Sequence, residues 1–174
     1  MFYIRKSLSL NGSGRLMLNS GFKFPHMLNA KDYKLVGVQV FLFILYYFEL
    51  PVLQLSFPDF VKSTALALSG FGVIIFLLAM LQLNKNLSPF PTPRAGSKLV
   101  KTGLYKYIRH PIYTGILIGL GSFSIYTNSG FRVMICLGLY VLFSVKTAYE
   151  EKLLLQKFSD YREYQKRTGR FFPK

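Results

Sequence analysis

The sequence predicts an all-α, polytopic membrane protein with four transmembrane helices, an irregular cytosolic loop and a C-terminal amphipathic helix. Three observations predict it. The chain is 51% hydrophobic and 17% charged over 174 residues, with a mean hydropathy of +0.31; soluble domains of this length carry more charge and less apolar content. Four apolar stretches follow one another, each near the ~20 residues that span a hydrocarbon core. Lys and Arg fall almost entirely on one side of those stretches.

The length favours one domain. Residues 1–33 are polar and basic and are expected to form a mobile N-terminal tail ahead of a membrane domain over 34–174. No apolar run of signal-peptide length follows Arg5 and Lys6, so a cleaved signal is not expected, and Met27 is a second candidate start. His26 reads as incidental. The first stretch is about 35–57 and contains Glu49 and Pro51. Pro51 kinks or ends its helix. Glu49, an acid inside a span, is either functional or snorkels to the outer interface. The second stretch is about 64–83, the third about 111–127 and the fourth about 131–148. Gly115 and Gly119 stand at GxxxG spacing in the third span, with Gly121 close by, and Gly70 and Gly72 lie in the second. Small residues at such positions let helices approach closely in lipid.

Six Lys or Arg precede the first stretch, six lie between the second and third, and eight lie from residue 146 onward. The remaining two loops share just Lys62 and Arg132. Basic residues stay on the cytosolic side, so both termini and the middle loop are expected in the cytosol. The net charge of +15 is thereby explained by topology and calls for no nucleic-acid partner. The single cysteine, Cys136, sits in an apolar run and reads as a packing residue; it permits no disulfide within the chain. No metal site is expected.

The run NKNLSPFPTPRAGSKLVKTGLYKYIRHP, starting at Asn84, holds four prolines and two glycines. A long basic loop of this kind is more often functional than a plain link. Residues 149–165 form an amphipathic pattern with Leu154, Phe158 and Tyr161 on one stripe, expected to lie at the membrane surface.

Arg109-His110-Pro111 opens the third span. Proline suits a first helical turn, and the free N–H groups there attract an anion. Tyr105, Tyr107 and Tyr113 surround the position. Spans three and four run out and back, so Glu150 or Glu151 returns to the face where His110 starts. An anion receptor beside a cation receptor suits a ligand bearing an amino acid; interfacial charge paired with lipid headgroups is the other reading of the same residues.

The run LVKTGLYKYIRHPIYTG resembles the signature of the isoprenylcysteine carboxyl methyltransferase family, itself similar to the phospholipid N-methyltransferases. The tail EEKLLLQKFSDYREYQKRTGRFFP resembles that family's closing motif, although TGRFFP departs from the eukaryotic members. The resemblance covers about residues 85–174. It implies an S-adenosyl-L-methionine-dependent methyltransferase whose cofactor-binding half is 85–174. By motif, Gly103 and Tyr105 would line the cofactor; His110, Pro111 and Tyr113 would hold its methionine end; Glu150, and with less support Glu151, would bind it. Arg109 and Arg167 would face an acceptor carboxylate on a lipid-like or prenylated molecule taken from the bilayer. A phospholipid amine or a small thiol is the alternative acceptor, and a non-catalytic membrane scaffold the alternative function.

Overall fold

The computed structural model describes residues 7–10, 16–19, 28–51, 53–93 and 96–174. His26, Met27 and the cations Arg5, Lys6, Arg15, Lys23 and Arg94 lie outside them. From Ala30 onward every regular element among the described residues is a helix. Ahead of the helices stands a two-stranded antiparallel hairpin, β1 (Ser7–Leu10) and β2 (Leu16–Asn19), which the all-α expectation did not include.

Helix α1 spans Ala30–Tyr47. Asn29 caps it: its side chain accepts from the Lys31 and Asp32 amides at 2.9 and 3.1 Å, and Asp32 accepts from the Asn29 amide at 2.9 Å. This reciprocal box satisfies donors that a helix start leaves open. The helix ends at Tyr47, ten residues before the expected end of the first span. Pro51 is the reason: its ring collides with the carbonyl four residues back, and the residue before it is pushed out of helical geometry. Glu49 therefore lies beyond the helix instead of within a span. Its side chain is 59% exposed and pairs with Arg132 at 3.6 Å.

Helix α2 runs Asp59–Leu83, α3 Pro111–Tyr126 and α4 Gly130–Lys157. Helices α2 and α4 are long and apolar enough to cross a bilayer. Helix α3, at 16 residues, is about 24 Å long at 1.5 Å per residue. Pro111 occupies its first turn, as the sequence predicts. The α3–α4 turn puts Asn128 at φ 54, a conformation Asn tolerates, and Ser129 caps α4 through the Arg132 amide at 3.3 Å. The chain after α1 folds back on this turn: Gly130 N–H donates to Leu53 and Leu55 N–H to Asn128, both at 2.8 Å.

Glycines set the tightest contact. A Cβ at Gly72 would stand 2.7 Å from the Gly119 Cα, and one at Gly115 would stand 2.6 Å from the Phe76 amide nitrogen. Helices α2 and α3 thus touch backbone to backbone, as the GxxxG spacing suggests, while Gly70 and Gly121 face open space. Helix α3 lies between α2 and α4, and α1 packs on α4. Leu139 and Phe143 of α4, fully buried, centre the core with Tyr46, Ile135 and Phe171.

The expected single amphipathic helix over 149–165 is divided. Its first part continues α4; Phe158 then turns extended, and a short helix α5 covers Tyr161–Arg167. Ser159 and Asp160 compete with helical hydrogen bonding at this break. The division turns the stripe inward: Leu154, Phe158 and Tyr161 line a cavity instead of lying on a membrane surface.

Candidate functional site

Three segments meet at the polar end of the bundle: the loop before α3, the end of α4, and the tail from α5. Loop and tail are stitched through their backbones. Arg109 N–H donates to Gly169 at 2.9 Å, His110 N–H to Arg170 at 3.1 Å, and Gly169 N–H to Tyr107 at 3.1 Å. Thr114 Oγ1 adds a bond to the Phe171 carbonyl at 2.8 Å. Tyr164 donates to the Tyr105 carbonyl at 2.6 Å, and Tyr105 to the Ala79 carbonyl at 3.3 Å. Burial pushes both phenols above their ordinary titration range, so they stay protonated donors. Gly103 turns the loop at φ +60, and a Cβ there would run into the Gln82 side chain. Gln82 in turn accepts from the Leu104 amide at 2.8 Å.

Glu151 is the hub. It lies past the apolar stretch of α4, with its side chain 4% exposed. Oε1 accepts from Arg109 Nε at 2.8 Å and stands 3.2 Å from His110 Nε2. Oε2 accepts from Gln165 at 2.9 Å and from Arg170 at 3.4 Å. Burial pushes this carboxyl up, but the hydrogen bonds and charges of His110 and Arg109 win and hold it down at about 2. Arg109 is equally committed: its Nη1 donates to the carbonyls of Thr168 and Gln165, the latter at 3.2 Å.

Glu150 faces the other way. It lines a cavity of about 760 Å³ together with Tyr105, Arg109, His110, Tyr113 and Lys146. Among the described residues it makes no hydrogen bond and one ion pair, with His110 Nδ1 at 3.9 Å. Burial pushes its carboxyl up, against the pull of His110 and Lys146. His110 stacks on Tyr113, with centroids 5.8 Å apart, and Tyr113 on Phe143 at 4.5 Å. From this polar end the cavity extends between α1 and α2 over α3, past Phe43, Tyr46, Leu120 and Phe123. Residues 86–93 and 97–100 line it from above, held to α1 where Thr92 donates to buried Asp32 at 2.8 Å. The site is thus polar at one end and apolar along the rest, a shape for an amphiphile.

Of the residues singled out from sequence, Tyr105, Arg109, His110, Tyr113 and Glu150 line the cavity. Glu151 stands behind them. Pro111 and Gly103 shape the loop and helix start without lining it. Arg167 is exposed on α5 and is not among the cavity-lining residues. Sequence reasoning missed Lys146, which it counted as one of the cytosolic charges. The side chain is 1% exposed, lines the cavity and donates to Gln39 at 2.5 Å. Its spacing of four residues from Glu150 was the available signal, since i and i+4 share a helix face. Among the described residues no group of three His, Cys, Asp or Glu side chains is arranged to hold a metal ion.

Comparison with known proteins agrees with this architecture. The chain is 29% identical over 131 residues to a protein-S-isoprenylcysteine O-methyltransferase of Schizosaccharomyces pombe, covering 68% of this chain and 56% of that protein. It is 29% identical over 82 residues to the nickel-cobalt-cadmium resistance protein NccN of Alcaligenes xylosoxydans xylosoxydans, covering 47% of this chain and 38% of that one. The chain therefore spans about half the length, or less, of these curated relatives. It shares its fold with the solved structure of a eukaryotic intramembrane Ras methyltransferase, at a TM-score of 0.61 and 23% identity over 84% of this chain and 54% of that one. The family model for isoprenylcysteine carboxyl methyltransferases matches residues 65–156, more than half the chain, including α3 and most of α2 and α4. This integral membrane protein belongs to the isoprenylcysteine carboxyl methyltransferase family.

Proposed function

We propose that this protein transfers a methyl group from S-adenosyl-L-methionine to a carboxylate on a lipid-like or prenylated acceptor. The supporting observation is the cavity itself: one volume joins His110 and Glu150 to a long apolar lobe. About 760 Å³ is ample for a cofactor and part of an acceptor chain, within the range of ligand pockets. Glu150 makes no hydrogen bond among the described residues, so its carboxylate has capacity for an ammonium or a ribose hydroxyl.

In this reading four helices cross the bilayer, both termini face the cytosol, and the polar end of the cavity lies at the inner leaflet. When bound, the cofactor would supply a methyl already activated by a positive sulfur, which an acceptor carboxylate can take without prior deprotonation. No proton moves. His110 and Glu150 would hold the methionine end, with Tyr105 and Tyr113 as flat walls beside it. Arg109 and Glu151 fix the loop, so that His110 cannot turn away. The apolar lobe excludes water and aligns the acceptor, effects worth several kcal/mol when geometry is held. Arg167 sits apart from this arrangement in the bundle, and the acceptor's cation must be sought elsewhere.

The test is methyl transfer by the purified chain in lipid nanodiscs. Tritiated cofactor would be offered with N-acetyl-S-farnesylcysteine, phosphatidylethanolamine and a small alkyl thiol. Label on the farnesylcysteine as a base-labile ester supports the reading. Label on the amine or thiol alone redirects it, and absence of label together with absence of cofactor binding ends it.

A further inference from the structure

We propose that Lys146 is the cation that receives the acceptor's carboxylate and so selects anionic acceptors over neutral ones. This rests on the methyl-transfer reading and names the residue that reading lacks. Neither arginine suggested by the family motif is a free cation in the cavity: Arg109 lines it with only Nη2 left without a partner among the described residues, and Arg167 does not line it. Arg109 is committed through Nε to Glu151 and through Nη1 to two backbone carbonyls. Arg167 is exposed on α5.

Lys146 is in a different state. It is 1% exposed, yet it lines the cavity. An ammonium has three donors; among the described residues one hydrogen bond is made, to Gln39 Oε1 at 2.5 Å, and no carboxylate forms an ion pair with it. Asp32 and Glu150 act on it only at longer range. The Tyr113 ring lies 5.5 Å from Nζ and steadies the charge from one side. A buried ammonium with spare donors and no counter-ion is costly unless something anionic joins it.

Its place along α4 fits an acceptor better than a cofactor. Glu150 and Lys146 are one turn apart on the same face. Helix α4 runs from the outer end at Gly130 toward the polar end, so Lys146 stands roughly 6 Å deeper than Glu150. It thus lies between the polar end and the apolar lobe bounded by Phe43, Tyr46 and Leu120. A carboxylate attached to an apolar chain in that lobe would arrive at Lys146 with its oxygen directed at the polar end. A protonated amine arriving there would meet a like charge.

The experiment uses the full chain in nanodiscs and four probes: S-adenosylhomocysteine for the cofactor side, and N-acetyl-S-farnesylcysteine, its carboxamide and its methyl ester for the acceptor side. In wild type the carboxylate should bind at least tenfold better than the carboxamide; equal binding overturns the proposal whatever any variant does. Lys146→Met should raise the KM for farnesylcysteine roughly 10- to 100-fold, the range of a charge-assisted hydrogen bond. It should erase the carboxylate-over-carboxamide preference and leave S-adenosylhomocysteine affinity within about twofold. Lys146→Arg should keep the preference. Gln39→Leu removes the tether but not the cation, and should keep it too. Retained discrimination in Lys146→Met, or weakened S-adenosylhomocysteine binding at unchanged acceptor KM, overturns the assignment. Should Lys146→Met not fold, Lys146→Gln takes its place in the same comparison. A wild type that neither binds S-adenosylhomocysteine nor labels any acceptor defeats the methyl-transfer reading instead, a result distinct from every variant outcome.

Discussion

Adjacent residues at the end of α4 carry the same carboxylate and live in opposite conditions. Glu151 points away from the cavity and accepts from Arg109, Gln165 and Arg170, with His110 in contact. Glu150 lines the cavity and, among the described residues, has one ion-pair partner, His110 at 3.9 Å. Arg109 and Lys146 repeat the contrast in cations: the first is anchored through Nε and Nη1 to its own chain, and the second makes a single hydrogen bond among the described residues. Charges satisfied by their own chain hold the fold, and charges left short of partners are available to a ligand. Net charge or motif membership does not separate these roles: Glu150 and Glu151 stand side by side in one run, and Lys146 lies outside both motif runs.

The largest effect expected from breaking this contrast is on the satisfied side. Glu151→Gln leaves Arg109 buried beside a neutral partner and should lower unfolding stability in detergent by about 3–5 kcal/mol, read from denaturant titration. Acid should do the same to wild type. Because the Glu151 carboxyl is held below its ordinary 4.5, its contribution is complete above that value and is lost as pH falls toward about 2. Near-ultraviolet circular dichroism should follow that loss, and Glu151→Gln should lack this acid limb. If wild type and variant lose signal together, the hub is not where stability resides.

Glu150→Gln should do the reverse. Cofactor affinity should fall roughly 10- to 100-fold by calorimetry, the worth of a charge-assisted contact, while the unfolding midpoint stays near wild type. A destabilised variant with normal affinity would merge the two glutamates into one structural role. Gly115→Leu tests a region with no charge at all. It forces a side chain into the Phe76 backbone and should cost about 1–3 kcal/mol without changing the acceptor's selectivity. Asn29→Ala removes the α1 cap and should cost about 1 kcal/mol, seen as a small thermal shift.

Much of the frame was legible because local rules govern it. Pro111 marks a helix start from its own ring, Gly115 and Gly119 mark a close crossing from their lack of side chains, and the His110–Glu150 approach follows from an out-and-back hairpin. What stayed hidden depends on tertiary context. The end of α1 at Tyr47 hinged on whether Pro51 would kink or terminate the helix, and hydropathy through residue 57 argued for continuation. Leu154, Phe158 and Tyr161 read as a membrane-facing stripe because apolar periodicity gives a face without saying what covers it. Lys146 was placed with the solvated charges, since composition counts a cation without showing its burial. The exchange of partners between Glu150 and Glu151 could not be read at all; neighbouring residues on a helix differ by about 100° in direction, and only packing decides which one turns inward.

The glycine crossing has a mechanical consequence. With backbone against backbone at Gly72 and Gly119, α2 and α3 cannot slide past one another without collision, so they behave as a single stiff plate. Helix α1 is joined to that plate by the non-helical chain over 48–51 and 53–58, by Tyr46, which donates to the Leu120 carbonyl of α3 at 2.8 Å, and by the Asp32–Thr92 contact. A wider cavity therefore requires α1 to move against the plate, and the bonds from Tyr46 to Leu120 and Ser124 are what such a movement would break.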